Sequence, residues 1–232
     1  MLARSIPVQL ISKYQHSLFM LEALLFGQAG LLDTQYRDDH PRKLQNEYVF
    51  LRQKHRLIPL NAMSWKFGRM RPPNFPTVRI AQFAVLLHQS KGLFRSIVNQ
   101  PDENKLLEVF NVSASGYWSG HHHFDKPSLK KTDKNLGTSS RENILINTVV
   151  PFLFAYSKHL DSPVHLEKAL QITELLPAEN NSVIKKLGEI QLIAGNAGRS
   201  QALLELKAQY CDKKKCLNCA VGNQLLKTVS ND

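Results

Sequence analysis

The alternation of apolar and polar positions predicts helices along almost the whole chain. The stretch Leu18 to Leu32 is apolar on every side and is interrupted only by Glu22 and Gln28. A helix with no polar face belongs in the middle of a core rather than on its surface, and Ser17 stands where an N-cap is needed. Ahead of it, Ile6 to Lys13 reads as a short helix opened by Pro7. Behind it, Arg37 to Leu57 repeats Leu44, Tyr48 and Leu51 on one face, with Arg42, Gln45, Gln53 and Arg56 elsewhere. The run Met70-Arg71-Pro72-Pro73-Asn74-Phe75-Pro76 is a joint. Residues before proline avoid the α region, so the joint is expected to be extended, with Asn74 as N-cap and Pro76 in the first turn of the next helix. That helix places Ile80, Phe83, Ala84 and Leu87 at the i, i+3, i+4, i+7 spacing. Pro101 then starts a short helix to Phe110.

The period is lost between Asn111 and Ser140, a stretch rich in Ser, Gly, His and Lys. It reads as a long basic loop, and loops of that length inside a domain are functional or mobile. Ser139 or Ser140 caps a helix with Leu145, Thr148, Val149, Phe152, Leu153 and Tyr156 on one face. Pro151 inside it removes a hydrogen bond to Asn147, which predicts a kink. Two helices, Val164 to Leu176 and Ser182 to Ala194, and a last one from Ser200 to Tyr210 complete the chain, with no strand run and no internal repeat. The predicted fold class is all-α, an irregular multi-helix bundle with one long basic loop. It is read as one helical domain over 1–232, with 1–111, 112–140 and 141–232 as its natural parts.

Composition adds charge to this picture. Thirty Lys and Arg against nineteen Asp and Glu give a formal net charge of +11 over 232 residues. The excess is not diffuse. Between Glu47 and Asp102 there is no acidic residue, while Arg52, Lys54, Arg56, Lys66, Arg69, Arg71, Arg79, Lys91 and Arg95 are all cationic. Ion pairing within the stretch is therefore impossible, and its charges face solvent, distant carboxylates or an anionic partner such as nucleic acid. Lys66, Arg69, Arg71 and Arg79 are the expected polyanion contacts, since arginine offers planar forks to phosphate. Trp65 and Phe75, with Phe67 between them, are either platforms for stacked bases or core residues.

Cys211, Cys216 and Cys219 are spaced C-x4-C-x2-C. Three neighbouring thiolates can share a metal, zinc being the expected ion, with Asp212 or one of His121, His122 and His123 as a fourth ligand. Redox chemistry promoted by Lys213 to Lys215 and plain reduced cysteines are the other readings. An odd number of clustered cysteines is not a secreted disulfide framework, which with the absence of a spanning segment or leader points to the cytoplasm and away from a membrane. Glu22, alone in an apolar helix, is expected to pair with an arginine or to serve as a general acid or base. The adjacent histidines 121–123 read as part of a solvated loop.

Three of these stretches carry a family resemblance. Tyr14 to Leu32, Trp65-Lys-Phe-Gly-Arg-Met-Arg-Pro-Pro-Asn-Phe-Pro-Thr-Val-Arg-Ile80 and Tyr117-Trp118 to Phe124 are similar to an uncharacterised bacterial family, domain-of-unknown-function family 2851. So is the tail from Ser200 to Cys219. The resemblance brings no activity. It implies that the chain corresponds to the C-terminal half of longer members, whose other half looks β-rich and loosely nuclease-like. The expected function is then a basic binding or accessory domain for nucleic acid or another polyanion. Packing on that other half and a metal-dependent enzyme built on the cysteines are the alternatives.

Overall fold

Apolar faces at helical spacing leave one solution, helices packed on helices, and that is what the computed structural model contains. It describes residues 2–90, 92–100 and 102–229, so Lys91 and Pro101 lie outside the described residues. The chain divides into two compact units, Met1–Arg141 and Glu142–Asp232.

In the first unit, α1 (Leu2–Ser5) and α2 (Val8–Tyr14) lead into α3 (Leu18–Gln28). Every residue of α3 from Leu21 to Gln28 is buried, and the Ser17 side chain caps it by accepting from the Met20 N–H. The long α4 (Asp39–His55) and α5 (Pro76–Ser90) both pack on α3. Close approach of α4 depends on Gly27, because a Cβ there would fall inside the Tyr48 ring. Gly30 is held at φ +72 against the Leu60 carbonyl, a position closed to any side chain for both reasons. The chain then passes through α6 (Leu93–Asn99) and α7 (Glu103–Val109).

The proline-rich joint is not extended throughout. Pro72–Asn74 close a 3-10 turn between two extended residues, Arg71 and Phe75. Asn74 does not cap α5 either. The Phe75 carbonyl receives the Arg79 N–H at 3.0 Å, and the Asn74 side chain accepts instead from the Arg79 guanidinium.

The long basic loop is present, but it is packed. It holds a helical turn, α8 (Gly116–Ser119), and a hairpin of β1 (His121–His123) and β2 (Lys126–Pro127), antiparallel with His121 opposite Pro127 and His123 opposite Lys126. An antiparallel bridge of Ser113 with Asn135 closes its base. Trp118, Phe124 and Leu136 are buried. Trp118 stacks on Phe26 of α3 at 5.3 Å between centroids, and Phe124 meets both rings at 5.0 Å. Even Lys134 is buried, its ammonium donating to the Thr132 hydroxyl and to the Thr132 and Ser119 carbonyls. The three resemblance-bearing stretches of this unit thus build one core.

The short α9 (Thr138–Ile144) runs across the division between the units at Arg141 and Glu142. In the second unit the chain makes a π-helical turn at Leu145–Val149 and continues as α10 (Val150–Leu160). The turn absorbs Pro151: the Val150 N–H already reaches back to the Leu145 carbonyl, and a missing N–H one residue later falls where the ladder has slipped. α10 packs on α11 (Pro163–Leu175), and α11 on α13 (Ala197–Leu206). Between them α12 (Ser182–Glu189) stops earlier than its apolar pattern predicts, ended by the left-handed Gln191 at φ 65. α13 starts earlier than predicted because Asn196, accepting from the Arg199 N–H at 2.9 Å, is its N-cap. A π turn at Lys207–Cys211, a 3-10 turn at Cys216–Asn218 and α14 (Ala220–Val229) follow. Among the described residues no helix is long and apolar enough to cross a membrane.

Candidate polyanion-binding surface

The acid-free stretch runs along the end of α4, the segment 57–75 and α5. Arg52, Lys54, Arg56, Lys66, Arg69, Arg71 and Arg95 are exposed, and Arg79 is half-buried. Among the described residues none of these cations forms an ion pair with a carboxylate. Lys66 and Arg69 precede the joint and Arg71 lies in it, all three exposed, and Arg69 is left-handed at φ 61. Arg79 differs. Its guanidinium donates to Gln82 Oε1 at 3.0 Å, Asn74 Oδ1 at 2.7 Å and Ser140 Oγ at 3.1 Å. Burial lowers its pKa from the usual arginine value. It braces the joint as well as adding charge.

The aromatic rings from Trp65 to Phe75 are half-buried, whereas Phe50 and Phe94 elsewhere in the stretch are exposed. Trp65 is half-buried against the core and donates its indole N–H to the Ala29 carbonyl at 2.8 Å. Phe75 meets Phe67 edge-on at 5.4 Å, and Phe67 in turn meets His123 at 5.2 Å. What the segment exposes beside its cations is aliphatic: Ile58 is 83% and Met63 90% exposed. Sequence reading passes over these two, since single apolar residues in a loop carry no period.

A second cluster was also not legible in the sequence. Glu22 is buried, but its partner is no arginine: Ser115 donates to Oε1 at 2.7 Å and His40 Nε2 lies 3.4 Å from Oε2. His40 and His121 each stack on the Tyr117 ring, at 4.5 and 4.1 Å between centroids. The Tyr117 hydroxyl donates to Asp38 Oδ2 at 2.7 Å, and His121 Nε2 lies 3.4 Å from the same oxygen. Burial, then the bond to Asp38, raises the Tyr117 pKa above the ordinary phenol value. Asp125 accepts the backbone N–H groups of Arg37 and Asp38; burial pushes its carboxyl up, but those bonds and the Arg37 charge outweigh it and hold the pKa low. The arrangement ties the loop to the start of α4. The three histidines 121–123 are half-buried here rather than solvated. His122 Nδ1 lies 2.8 Å from the Ser128 hydroxyl, and burial followed by the Lys134 charge lowers its pKa.

In the second unit, Cys211 and Cys216 are exposed and Cys219 is buried, all three as unbridged thiols. Asp212, the local candidate for a fourth ligand, accepts both its contacts from Lys207, at 2.6 and 2.8 Å. Among the described residues no three His, Cys, Asp or Glu side chains are grouped to hold a metal ion.

No curated protein and no solved structure matches the chain. The match to a family model lies on the N-terminal side, over residues 1–182, so it takes in the joint, the packed loop and Glu22 but not the cysteine tail. Over those residues the model is that of the family described as "Protein of unknown function (DUF2851)", and the chain belongs to that family.

Proposed function

We propose that the unit Met1–Arg141 is a binding module for polyanions, with Lys66, Arg69 and Arg71 as contacts and Arg79 bracing the joint that holds Arg71. One observation carries this: seven exposed cations of one acid-free stretch, none in an ion pair among the described residues. Uncompensated surface charge of one sign raises the local concentration of anions and speeds their association.

The reading is tested by retention of the full chain on single- and double-stranded oligonucleotides and on inorganic polyphosphate. Binding should weaken with salt, log K falling linearly in log salt. Lys66→Glu combined with Arg71→Glu should weaken binding to all three anions together and flatten the salt slope. Absence of retention at low salt on every one of these probes refutes it.

A further inference from the structure

Ile58 and Met63 stand almost wholly in water, on the same segment that carries the unpaired cations. A loose loop would explain such exposure by itself, but this loop is fixed at both ends and in the middle. At its start the left-handed Arg56 caps α4, and the Leu57 N–H donates to the Arg52 carbonyl at 3.1 Å. The buried Gln28 then donates its side chain to the Ile58 carbonyl at 2.5 Å, and its own carbonyl receives the Leu60 N–H at 2.9 Å. The Asn61 side chain caps the 3-10 turn by accepting the Met63 N–H at 2.9 Å, and Trp65 closes the far end on the Ala29 carbonyl. Interior hydrogen bonds therefore fix the backbone that carries these two exposed apolar side chains. An already ordered backbone lowers the entropy lost when such side chains are covered at an interface.

From this we infer that the segment Ile58–Arg71 docks an acidic protein surface carrying aliphatic side chains, a choice that rests on the polyanion reading above. Charge complementarity selects the acidic partner, since Lys66, Arg69 and Arg71 follow the anchors on the same exposed segment and no carboxylate pairs with them among the described residues. The side-chain chemistry selects protein over nucleic acid. Bases are bound by stacking on aromatic faces, and the rings interleaved with these cations, Trp65, Phe67 and Phe75, are half-buried, Trp65 with its N–H engaged as well. Aliphatic anchors contribute instead by burial against other apolar side chains.

The test uses the full chain and two synthetic peptides, one alternating glutamate with leucine and one alternating glutamate with serine, followed by fluorescence anisotropy. The Glu–Leu peptide should bind at least roughly tenfold more tightly than the Glu–Ser peptide. Ile58→Ser with Met63→Ser should erase that margin while leaving the Glu–Ser peptide and oligonucleotide retention unchanged. Both side chains are exposed, so an unaltered unfolding midpoint verifies that the variant still folds. Lys66→Gln with Arg71→Gln should weaken both peptides. Equal affinities for the two peptides, or a margin that survives in the serine variant, overturns the inference and leaves the polyanion reading standing. So does binding to phosphatidylserine vesicles that depends on Ile58 and Met63 and exceeds peptide binding. Loss of the polyanion reading itself is recognised separately, by the absence of retention on oligonucleotides and polyphosphate at low salt.

Discussion

Tyr48 shows how a single side chain of α4 fixes the centre of the first unit. Its ring covers Gly27, and its hydroxyl donates to Gln28 Oε1 at 3.1 Å, the same glutamine whose amide holds the Ile58 carbonyl. Burial pushes its pKa from 10.0 up to about 12. The folded state therefore favours the neutral phenol. Its contribution is complete below pH 10 and is lost as pH rises through about 12. Tyr48→Phe should cost about 1 kcal/mol at neutral pH through the lost hydrogen bond, and should also remove part of the alkaline loss of stability in that window. Urea unfolding of both proteins at neutral and alkaline pH checks the two effects; parallel alkaline profiles would contradict the assignment. At this scale the sequence was informative about burial and silent about partners. Tyr48 on the apolar face and Ser17 as a cap are local signals. Glu22 pairing with Ser115, 93 positions away, is not, and neither is the stacking of two histidines on Tyr117.

At the scale of elements, the contact between α3 and α4 depends on what is missing from one of them. Gly27 lies in the last turn of α3, and within a helix glycine is unfavourable by up to about 0.5–1 kcal/mol relative to alanine. Helix propensity alone therefore predicts that Gly27→Ala stabilises. Packing predicts the reverse, because the new methyl would occupy the Tyr48 ring and both sides are buried. Overpacking of about 1–3 kcal/mol outweighs the gain in propensity, so Gly27→Ala should lower the urea midpoint, and an alanine variant more stable than wild type would refute this packing. The same competition between local and tertiary preference decides how far elements are legible. α3 and α5 could be read because their apolar faces are continuous. The segment Asn111–Ser140 could not be read as packed, because Trp118, Phe124 and Leu136 are scattered among polar residues at no fixed period. The joint was misread for a related reason. Proline restricts the residue before it, but it leaves Pro72–Asn74 free to close a 3-10 turn.

Across the whole molecule, charge is divided unequally between the two units. Met1–Arg141 contains twenty Lys and Arg against ten Asp and Glu, whereas Glu142–Asp232 is nearly balanced, with ten against nine. The first unit therefore carries almost all of the net +11, and within it the cations of the acid-free stretch repel one another without a carboxylate to offset them. Such self-repulsion destabilises the folded state most when salt is low, and it is screened once the Debye length shrinks to about 10 Å at 0.1 M ionic strength. The first thermal transition should consequently rise with added sodium chloride. Inorganic polyphosphate should raise it further at equal ionic strength, because a ligand that binds only the folded state adds about 2.7 kcal/mol at a hundred times its Kd. Charge reversal separates the two causes. Lys66→Glu with Arg71→Glu relieves repulsion, so the variant should be more stable than wild type at low salt, yet it should lose the extra response to polyphosphate. A double variant that is less stable at low salt and still responds in full would place the uncompensated charge, and the anion it attracts, elsewhere on the surface.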